Sequence, residues 1–279
     1  MPSASSAPLR TARRLAKRAF RVADRRFLAE GPQAVREALG TPGVVLALLA
    51  TGAAADRHAD LVATARRAGA AVHLVGESEL AGVTQTVTPQ GLVAVCRFVD
   101  VPLERLAAAG PRLVVLLAQA RDPGNAGTVL RTADAAGADG VVFAAGSVDP
   151  YNGKCVRASA GSLFHLDLVA GPPAADAVAT LRGAGLQVLA ADGTGPEDLD
   201  ELVDRGALRA PTCWLFGNEA WGLPADLHAL ADRVVRVPIH GRAESLNLAA
   251  AAAVCLYATA RAQRRGPAGT GVAGTRLPE

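Results

Sequence analysis

Cysteine and histidine are scarce in this chain, and their spacing excludes the common metal and disulfide frameworks. The four cysteines (Cys96, Cys155, Cys213 and Cys255) form no C-x-x-C pair and have no metal-like spacing to a histidine. The five histidines are isolated as well. We therefore expect no metal site, and we expect the cysteines to be small buried side chains in a reducing compartment.

Long hydrophobic runs and nucleotide fingerprints are also missing. No apolar segment approaches the roughly 20 residues that span a bilayer. The N-terminus is basic but lacks the apolar stretch of a signal peptide, which favours a cytoplasmic protein. No G-x-G-x-x-G or G-x-x-x-x-G-K-[ST] follows a predicted strand, which disfavours a dinucleotide or nucleoside triphosphate site.

Aromatic residues make up only 4% of the 279 residues, whereas hydrophobic residues make up 50%. The core must therefore be built from alanine, valine and leucine, and the length suffices for one large or two modest domains.

The net charge of +3 is small but unevenly distributed. Eight arginines and lysines between residues 10 and 26 face a single acid, Asp24. Such a segment is attracted to polyanions such as RNA. A solvated tail is an equally good interpretation of the segment taken alone. We predict a flexible basic arm over residues 1–20.

Short β-branched runs alternate with helical patterns in two series, which favours an α/β fold with a mostly parallel second sheet. The punctuation by proline and glycine divides the chain into a substrate-binding domain (21–99), a linker with a short helix (100–111), a larger domain (112–265) and a frayed tail (266–279).

Three polar loops follow predicted strands of the second series. The first contains Asn125-Ala-Gly-Thr-Val-Leu-Arg131, with Asn125 at a predicted helix start. Arg131 lies four residues after Gly127 and three after Thr128, and these small neighbours should leave room around it. An arginine in that position is suited to binding a phosphate or a ribose. A surface arginine that only solvates the helix is the common alternative.

The second loop, residues 215–224, brackets an acid between Gly217 and Gly222 directly after a buried strand, which permits close backbone approach to a ligand. A tight turn without function would explain the glycines equally well.

The third loop, residues 237–247, crowds Arg242, Glu244, Ser245 and Asn247 before an alanine-rich helix. Ser245 is the predicted N-cap of that helix, which should run to about Arg265. Because ligands bind at the carboxyl ends of parallel strands, the three loops together predict one site.

Taken in order, the three loops resemble the three motifs of the SpoU (TrmH) family of RNA ribose 2′-O-methyltransferases, within the SPOUT superfamily. The segment Tyr151-Asn-Gly-Lys-Cys-Val-Arg-Ala-Ser-Ala-Gly-Ser162 resembles the stretch that the family has between its first two motifs. Residues 26–31 and 88–95 resemble the ends of a ribosomal-protein-L30e-like substrate domain.

The resemblance implies a trefoil-knotted C-terminal methyltransferase domain, S-adenosylmethionine as cofactor, and a homodimer. The implied catalytic residues are Arg131, Asn125, Glu219, Ser245 and Asn247. The implied cofactor-binding residues are Gly217, Asn218, Val237, Ile239 and Leu246. The candidate RNA contacts are Arg25, Arg26, Glu30, Arg121 and Arg157.

The implied activity is 2′-O-methylation of a ribose in structured RNA, with 23S ribosomal RNA preferred as substrate. Transfer RNA is the alternative substrate. A non-catalytic RNA-binding or ribosome-assembly factor on the same fold is the alternative from a different functional class.

Overall fold

The computed structural model describes residues 6–86, 88–218 and 220–264, and they form two β-sheets with their covering helices. The strands are β1 (Arg26–Glu30), β2 (Val45–Ala50), β3 (Ala71–Leu74), β4 (Leu92–Arg97), β5 (Leu113–Leu117), β6 (Gly140–Phe143), β7 (Asp167–Ala170), β8 (Gln187–Ala191), β9 (Glu197–Asp198), β10 (Thr212–Phe216) and β11 (Arg233–Arg236). The α-helices are α1 (Ser6–Arg14), α2 (Arg18–Asp24), α3 (Pro32–Gly40), α4 (Gly52–Arg57), α5 (Ala59–Arg67), α6 (Glu77–Ala81), α7 (Leu103–Ala108), α8 (Pro123–Ala136), α9 (Gly153–Ala158), α10 (Ala174–Gly183), α11 (Leu199–Asp204), α12 (Ala225–His228) and α13 (Leu248–Arg264).

The first sheet has the strand order β1-β4-β2-β3, in which β4 is antiparallel to both of its neighbours. The side chains along its strands point alternately to two buried faces, as the two-residue period of a strand requires. Phe27 and Leu48 point into one core with α3 and α5, whereas Leu28, Leu49 and Val93 pack into another core beneath α1.

The basic N-terminal segment is helical and packed, so the prediction of a flexible arm is wrong for residues 6–20. Leu9, Ala12 and Leu15 recur every three residues, and all three are buried against the first sheet. Arg21 follows with 4% of its side chain exposed, and its guanidinium pairs with Asp149 at 2.6 Å. The arginine-rich composition concealed an amphipathic helix, because its apolar positions are few but regularly spaced.

The second sheet has the order β7-β6-β5-β10-β8-β11-β9, and every recorded strand pair in it is parallel. The central strands β5 and β10 are buried along their whole length. Trp214 on β10 is fully buried, and its Nε1 donates to Thr259 Oγ1 of α13 at 2.9 Å. The predicted α/β class with a parallel second sheet is thus confirmed.

Helix α8 packs closely on α9, and Gly127 makes this possible. A Cβ at Gly127 would overlap the Cys155 carbonyl oxygen and would lie 2.6 Å from the Ala158 Cβ. This position therefore requires glycine, because α9 occupies the space that a side chain would need. The sequence interpretation assigned Gly127 to making room for Arg131, whereas the glycine instead allows α9 to pack on α8.

The two sheets meet at the segment of residues 151–162. The Tyr151 hydroxyl accepts from the amides of Val99 and Asp100, and its ring stacks on Phe98 at 3.8 Å between centroids. Burial raises the pKa of this phenol well above its usual value, and the nearby Asp100 carboxylate raises it further. The first sheet is thus packed against the segment that carries α9.

Several predicted boundaries differ from the structure. The helix predicted to start at Asn125 begins at Pro123, and the helix predicted to follow a cap at Ser245 begins at Leu248. The short strand β9 and the helix α11 between β8 and β10 were not predicted. These elements are short, and their stability comes from packing rather than from a local sequence pattern.

Within the described ranges, no helix is long and apolar enough to cross a membrane. The same residues contain no cluster of three or more His, Cys, Asp or Glu side chains that could hold a metal ion. The four cysteines are buried as free thiols, and burial raises the pKa of Cys213 to about 12.

Candidate functional site

The three polar loops lie together at the carboxyl edge of the second sheet, as the sequence predicts. They follow β5, β10 and β11, and the strand order β5-β10-β8-β11 makes them near neighbours. The Asn218 side chain of the second loop donates from Nδ2 to the Gln119 carbonyl oxygen of the first at 2.9 Å. The third loop reaches the first through Asn247. One site therefore combines segments that are more than 100 residues apart in sequence.

In the first loop, Asp122 is the N-cap of α8, and its Oδ1 accepts from the Asn125 amide at 2.8 Å. The helix thus begins before Asn125. The other carboxylate oxygen of Asp122 accepts from Lys154 Nζ of α9 at 2.7 Å. The hydrogen bond from Lys154 lowers the pKa of Asp122, and the hydrogen bond from the Asn125 amide lowers it further. Asp122 is therefore an anion that fixes the position of a lysine beside the loop.

Arg131 is exposed on α8 and lies on the same helical face as Gly124 and Thr128, which are seven and three residues earlier. Among the described residues, its guanidinium has no hydrogen bond and no ion pair. Arg131 lies about 9 Å along the helix axis from Asn125, at a rise of ~1.5 Å per residue. Helical Cα–Cβ bonds tilt toward the N-terminus, so its long side chain can extend back toward the loop.

The second loop is a tight structure that leaves no space for side chains at its base. The amide of Asn218 donates to the Gly222 carbonyl at 2.8 Å, and the Gly222 amide donates back to the Asn218 carbonyl at 2.9 Å. A Cβ at Gly217 would overlap the Gly222 carbonyl group and would lie 2.6 Å from the Leu223 nitrogen. Gly222 has φ of +71°, which favours glycine. Glu219 lies outside the described residues.

The third loop leaves its backbone groups available. Among the residues that the structure describes, no backbone hydrogen bond involves residues 238–246. Val237 and Ile239 are half-buried at the start of the loop, and Leu246 is 41% exposed near its end. Free amides and carbonyls of this kind can bind the polar edges of a ligand.

The N-cap of α13 is Asn247, and the prediction that Ser245 caps this helix is wrong. Asn247 Oδ1 accepts from the Ala249 amide at 2.9 Å and, more weakly, from the Ala250 amide at 3.4 Å. Asparagine and serine are similarly good caps, so local preference could not choose between them. Ser245 lies exposed in the loop, two residues before the cap.

The same Asn247 side chain joins the third loop to the first. Its Nδ2 donates to Asn125 Oδ1 at 3.0 Å. Two candidate catalytic residues separated by 122 positions are therefore in direct contact, and each is also tied to the first turn of a helix.

A fourth loop at this edge was missed by the sequence interpretation. It follows β8, between the second and third loops, and contains Asp192-Gly-Thr-Gly195. Asp192 accepts from the Thr194 amide and hydroxyl and pairs with His228 Nε2 at 3.0 Å. A Cβ at Gly195 would lie 2.7 Å from the Val234 carbonyl oxygen. The signal was a G-x-G directly after a buried strand.

The candidate RNA contacts do not form one cluster. Arg25 pairs with Asp100 at 3.0 Å and lies over the Phe98 ring, whereas Arg26 is exposed at the start of β1. Glu30 lies at the other end of that strand. Arg121 adjoins the first loop and has an interaction partner.

Glu30 and Arg157 bind each other across the two sheets. The Glu30 carboxylate is 4% exposed, pairs with Arg157 Nη1 at 3.2 Å and accepts from the Gln85 amide at 3.1 Å. In this structure the Glu30 carboxylate is therefore bound within the protein, and its assignment as an RNA contact stays a prediction. Beside the pair lies a cleft of about 200 Å³ whose lining includes Thr84, Thr86, Thr88 and Gln90.

Comparisons with known proteins agree with this architecture. Residues 112–257 match the model of the SpoU rRNA Methylase family, and residues 8–94 match the MRM3-like substrate binding domain. The second match includes α1, in agreement with its packing on the first sheet.

Curated relatives and solved structures resemble most of the chain. A 23S rRNA (guanosine(2553)-2′-O)-methyltransferase from Bacillus subtilis is 36% identical over 233 residues, covering 83% of this chain and 87% of the relative. A tRNA (guanosine(18)-2′-O)-methyltransferase from Escherichia coli is 35% identical over 162 residues, covering 57% of this chain and 67% of the relative. The crystal structure of the SpoU methyltransferase AviRb from Streptomyces viridochromogenes, in complex with the cofactor AdoMet, aligns with a TM-score of 0.81 at 30% identity, covering 94% of this chain and all of that one.

Proposed function

Because the chain belongs to the SpoU rRNA methylase family, we propose that it methylates the 2′-hydroxyl of a ribose in 23S ribosomal RNA. The chain is an S-adenosylmethionine-dependent RNA ribose 2′-O-methyltransferase. The observation that carries the assignment of the site is the contact of Asn125 with Asn247, which joins the first and third loops where a ribose must be held.

The chemistry requires a ribose hydroxyl placed in line with a methyl group. Bound S-adenosylmethionine supplies that methyl group as an electrophile on sulfur. Asn125 and Asn247 orient the ribose, with Ser245 beside them on the loop, and such positioning supplies much of the rate acceleration. Glu219 is assigned to orient Arg131 or its own loop.

Arg131 binds the phosphate next to the target ribose and stabilises the alkoxide as the hydroxyl loses its proton. A guanidinium stays protonated in almost any protein environment, so it is a poor general base by itself. Its exposed position, with no partner among the described residues, leaves its five N–H donors available for the substrate. Arg131 accepts the hydroxyl proton itself only if a neighbouring group or the substrate phosphate has first taken a proton from its guanidinium.

The cofactor fits the edge formed by the second, third and fourth loops. The cofactor contacts are assigned to the backbone of Gly217, Asn218, Val237, Ile239 and Leu246. The free backbone groups of residues 238–246 supply donors and acceptors, and the closed second loop supplies a wall. Asp192 and its loop form the remaining side between them.

Replacing Gly217 with alanine tests this assignment. The new Cβ overlaps the Gly222 carbonyl, so the second loop must open. We expect the affinity for S-adenosylmethionine, measured by calorimetry, to fall about 10-fold or more, a loss of at least ~1.4 kcal/mol. Gly183→Ala at the end of α10 is the matched control, because a Cβ there meets nothing within 4 Å and the residue lies outside the four loops. Equal affinities for the two variants would contradict the assignment.

Family membership supports a proposal for the finer architecture. We assign residues 112–265 to a knotted SPOUT domain that carries cofactor and catalysis. We assign residues 21–99 to an L30e-like domain that binds substrate, extended N-terminally by α1. Residues 100–111 form the linker, and the predicted tail 266–279 lies outside the described residues. An enzyme with this substrate acts in the cytoplasm.

A homodimer through α13 fits the exposed surface of that helix. One face of α13 is buried under the second sheet, whereas Ala250, Val254 and Tyr257 form an exposed stripe at helical spacing. Val254 is 43% exposed and Tyr257 is 54% exposed. Small and apolar residues in one stripe permit close packing of a second copy of the same helix.

Replacing Val254 with glutamate places a charge in the centre of this stripe. We expect the dimer to dissociate, because burying an unpaired carboxylate against a second copy costs several kcal/mol. Light scattering coupled to gel filtration measures the mass. Val22→Glu is the control, since Val22 is also an exposed valine, on α2 and away from the stripe. A dimer that survives in the α13 variant places the interface elsewhere.

Mapping of 2′-O-methyl groups in total RNA, with and without the gene, tests the substrate. We expect one ribose of 23S rRNA to lose its methyl group when the gene is absent. Loss of a methyl group in tRNA instead would support the alternative, which the tRNA-modifying relative keeps open.

A non-catalytic RNA-binding factor is the second candidate function. Calorimetric titration with S-adenosylmethionine distinguishes it from the enzyme. Absence of binding, both with and without RNA, would support the binding factor.

A further inference from the structure

We infer that Trp221 is a stacking platform for an unpaired base of the RNA substrate at the methylation site. This inference rests on the proposed function and adds a residue that contacts the nucleobase. Trp221 lies on the second loop, within the candidate site, and 63% of it is exposed. The chain has only two tryptophans, and the other, Trp214, is fully buried.

The loop holds Trp221 in a defined place. Asn218, three residues earlier, is 6% exposed; its Nδ2 is bonded to the Gln119 carbonyl, and its Oδ1 accepts from the Ala220 amide at 2.8 Å. Gly222, the next residue, is fixed by its paired backbone bonds to Asn218. An indole on a braced loop loses little conformational entropy on binding, which suits an aromatic anchor.

The position of the loop indicates what the indole meets. The bond from Asn218 to Gln119 ties the second loop to the first, which leads directly into the Asp122 cap and Asn125. A ribose bound at Asn125 and Asn247 would therefore lie next to the loop that carries Trp221. Bases of single-stranded or looped RNA stack on aromatic side chains, and this interaction tolerates any base.

The other exposed apolar side chains do not compete for this role. Val254 and Tyr257 lie on the α13 stripe that we assign to the dimer, and Val22 and Leu74 lie on α2 and β3, outside the site. Leu246 lies on the third loop, but it is aliphatic and is assigned to the cofactor. Trp221 is the exposed aromatic residue that the described structure places on a loop of the site. A protein with 4% aromatic residues has few other means of stacking a base there.

Tryptophan fluorescence reports on this residue directly. Trp214 is buried and hydrogen-bonded, so the emission that acrylamide quenches in the free protein belongs to Trp221. We expect an RNA fragment that the enzyme methylates to protect this emission and S-adenosylmethionine alone to leave it quenchable. Trp221→Phe should abolish the quenchable component and keep most of the activity.

Trp221→Ala should raise KM for that RNA about 10-fold, since stacking on one base contributes ~1–3 kcal/mol, and it should leave kcat and cofactor affinity unchanged. Normal methylation without protection of Trp221 would overturn the inference and leave the proposed function intact. Protection of Trp221 in the free protein that is lost on dilution would also overturn it, because the indole would then lie between two copies of the chain. If the wild-type protein neither binds S-adenosylmethionine nor methylates RNA, the proposed function itself fails.

Discussion

Replacing Arg131 with lysine is expected to lower kcat for methyl transfer by about 100-fold or more, because groups aimed at developing charge contribute factors of 10²–10³. Lysine keeps the positive charge but loses the planar fork that can bind two oxygens at once. Arg131 is exposed and has no partner among the described residues, so the fold does not depend on it. We expect the unfolding temperature and the cofactor affinity to stay as in the wild type.

The control is Arg205→Lys, since Arg205 is also an exposed arginine of the methyltransferase domain and, among the residues with a described position, pairs with Glu201 on α11 alone. Single-turnover methylation with saturating enzyme in excess over RNA separates the chemical step from substrate binding. Near-normal turnover of the Arg131 variant would contradict the role of the guanidinium fork. A pure rise in KM would assign Arg131 to substrate binding alone.

The sequence predicts which loops form the site, because the parallel sheet determines the edge at which they emerge. A polar loop that follows a buried parallel strand must emerge at the carboxyl edge, so the loops before Asn125, after Phe216 and after Arg236 had to meet. The Asn125–Asn247 contact confirms that expectation. The strand order, with β8 inserted between β10 and β11, depends on long-range pairing that no local pattern encodes.

The errors share a physical cause. Ser245 and Asn247 have similar capping preferences, and the choice between them depends on a partner, Asn125, that is distant in sequence. The Glu30 carboxylate has two partners that the sequence did not predict, Arg157 Nη1 and the Gln85 amide. Helix α1 is stabilised by the sheet beneath it rather than by its own arginine-rich sequence. In each case a tertiary contact decides between local alternatives.

Asn247 has two roles that substitutions can separate. We expect loss of its donor role to lower activity strongly and to change the stability of the fold little. As a cap, its Oδ1 accepts from the Ala249 amide; as a donor, its Nδ2 binds Asn125. Asn247→Asp keeps the accepting oxygen, and aspartate is as good an N-cap as asparagine. The same change removes the donor and turns a carboxylate oxygen toward Asn125 Oδ1.

We therefore expect Asn247→Asp to unfold at the wild-type temperature while kcat falls about 10-fold or more, because a polar acceptor is left facing a like dipole. Asn247→Ala should lose the same activity and, in addition, about 1 kcal/mol of unfolding free energy from the missing cap. Thermal unfolding and single-turnover methylation measure the two effects. If the aspartate variant methylates normally, the amide contact with Asn125 is only structural.

A double-mutant cycle measures the coupling energy between the Asn125 and Asn247 side chains. Side chains in contact show coupling energies of roughly 0.5–3 kcal/mol, whereas distant sites are additive. We expect Asn125→Ala to cost little further activity once Asn247 is aspartate, because the ribose has already lost one side of its support. Asn152→Ala is the matched comparison: Asn152 caps α9 in the same way but has no recorded contact with Asn247 in the described structure, so its effect should add to that of Asn247→Asp. Additivity at Asn125 as well would show that the two amides act on the substrate independently.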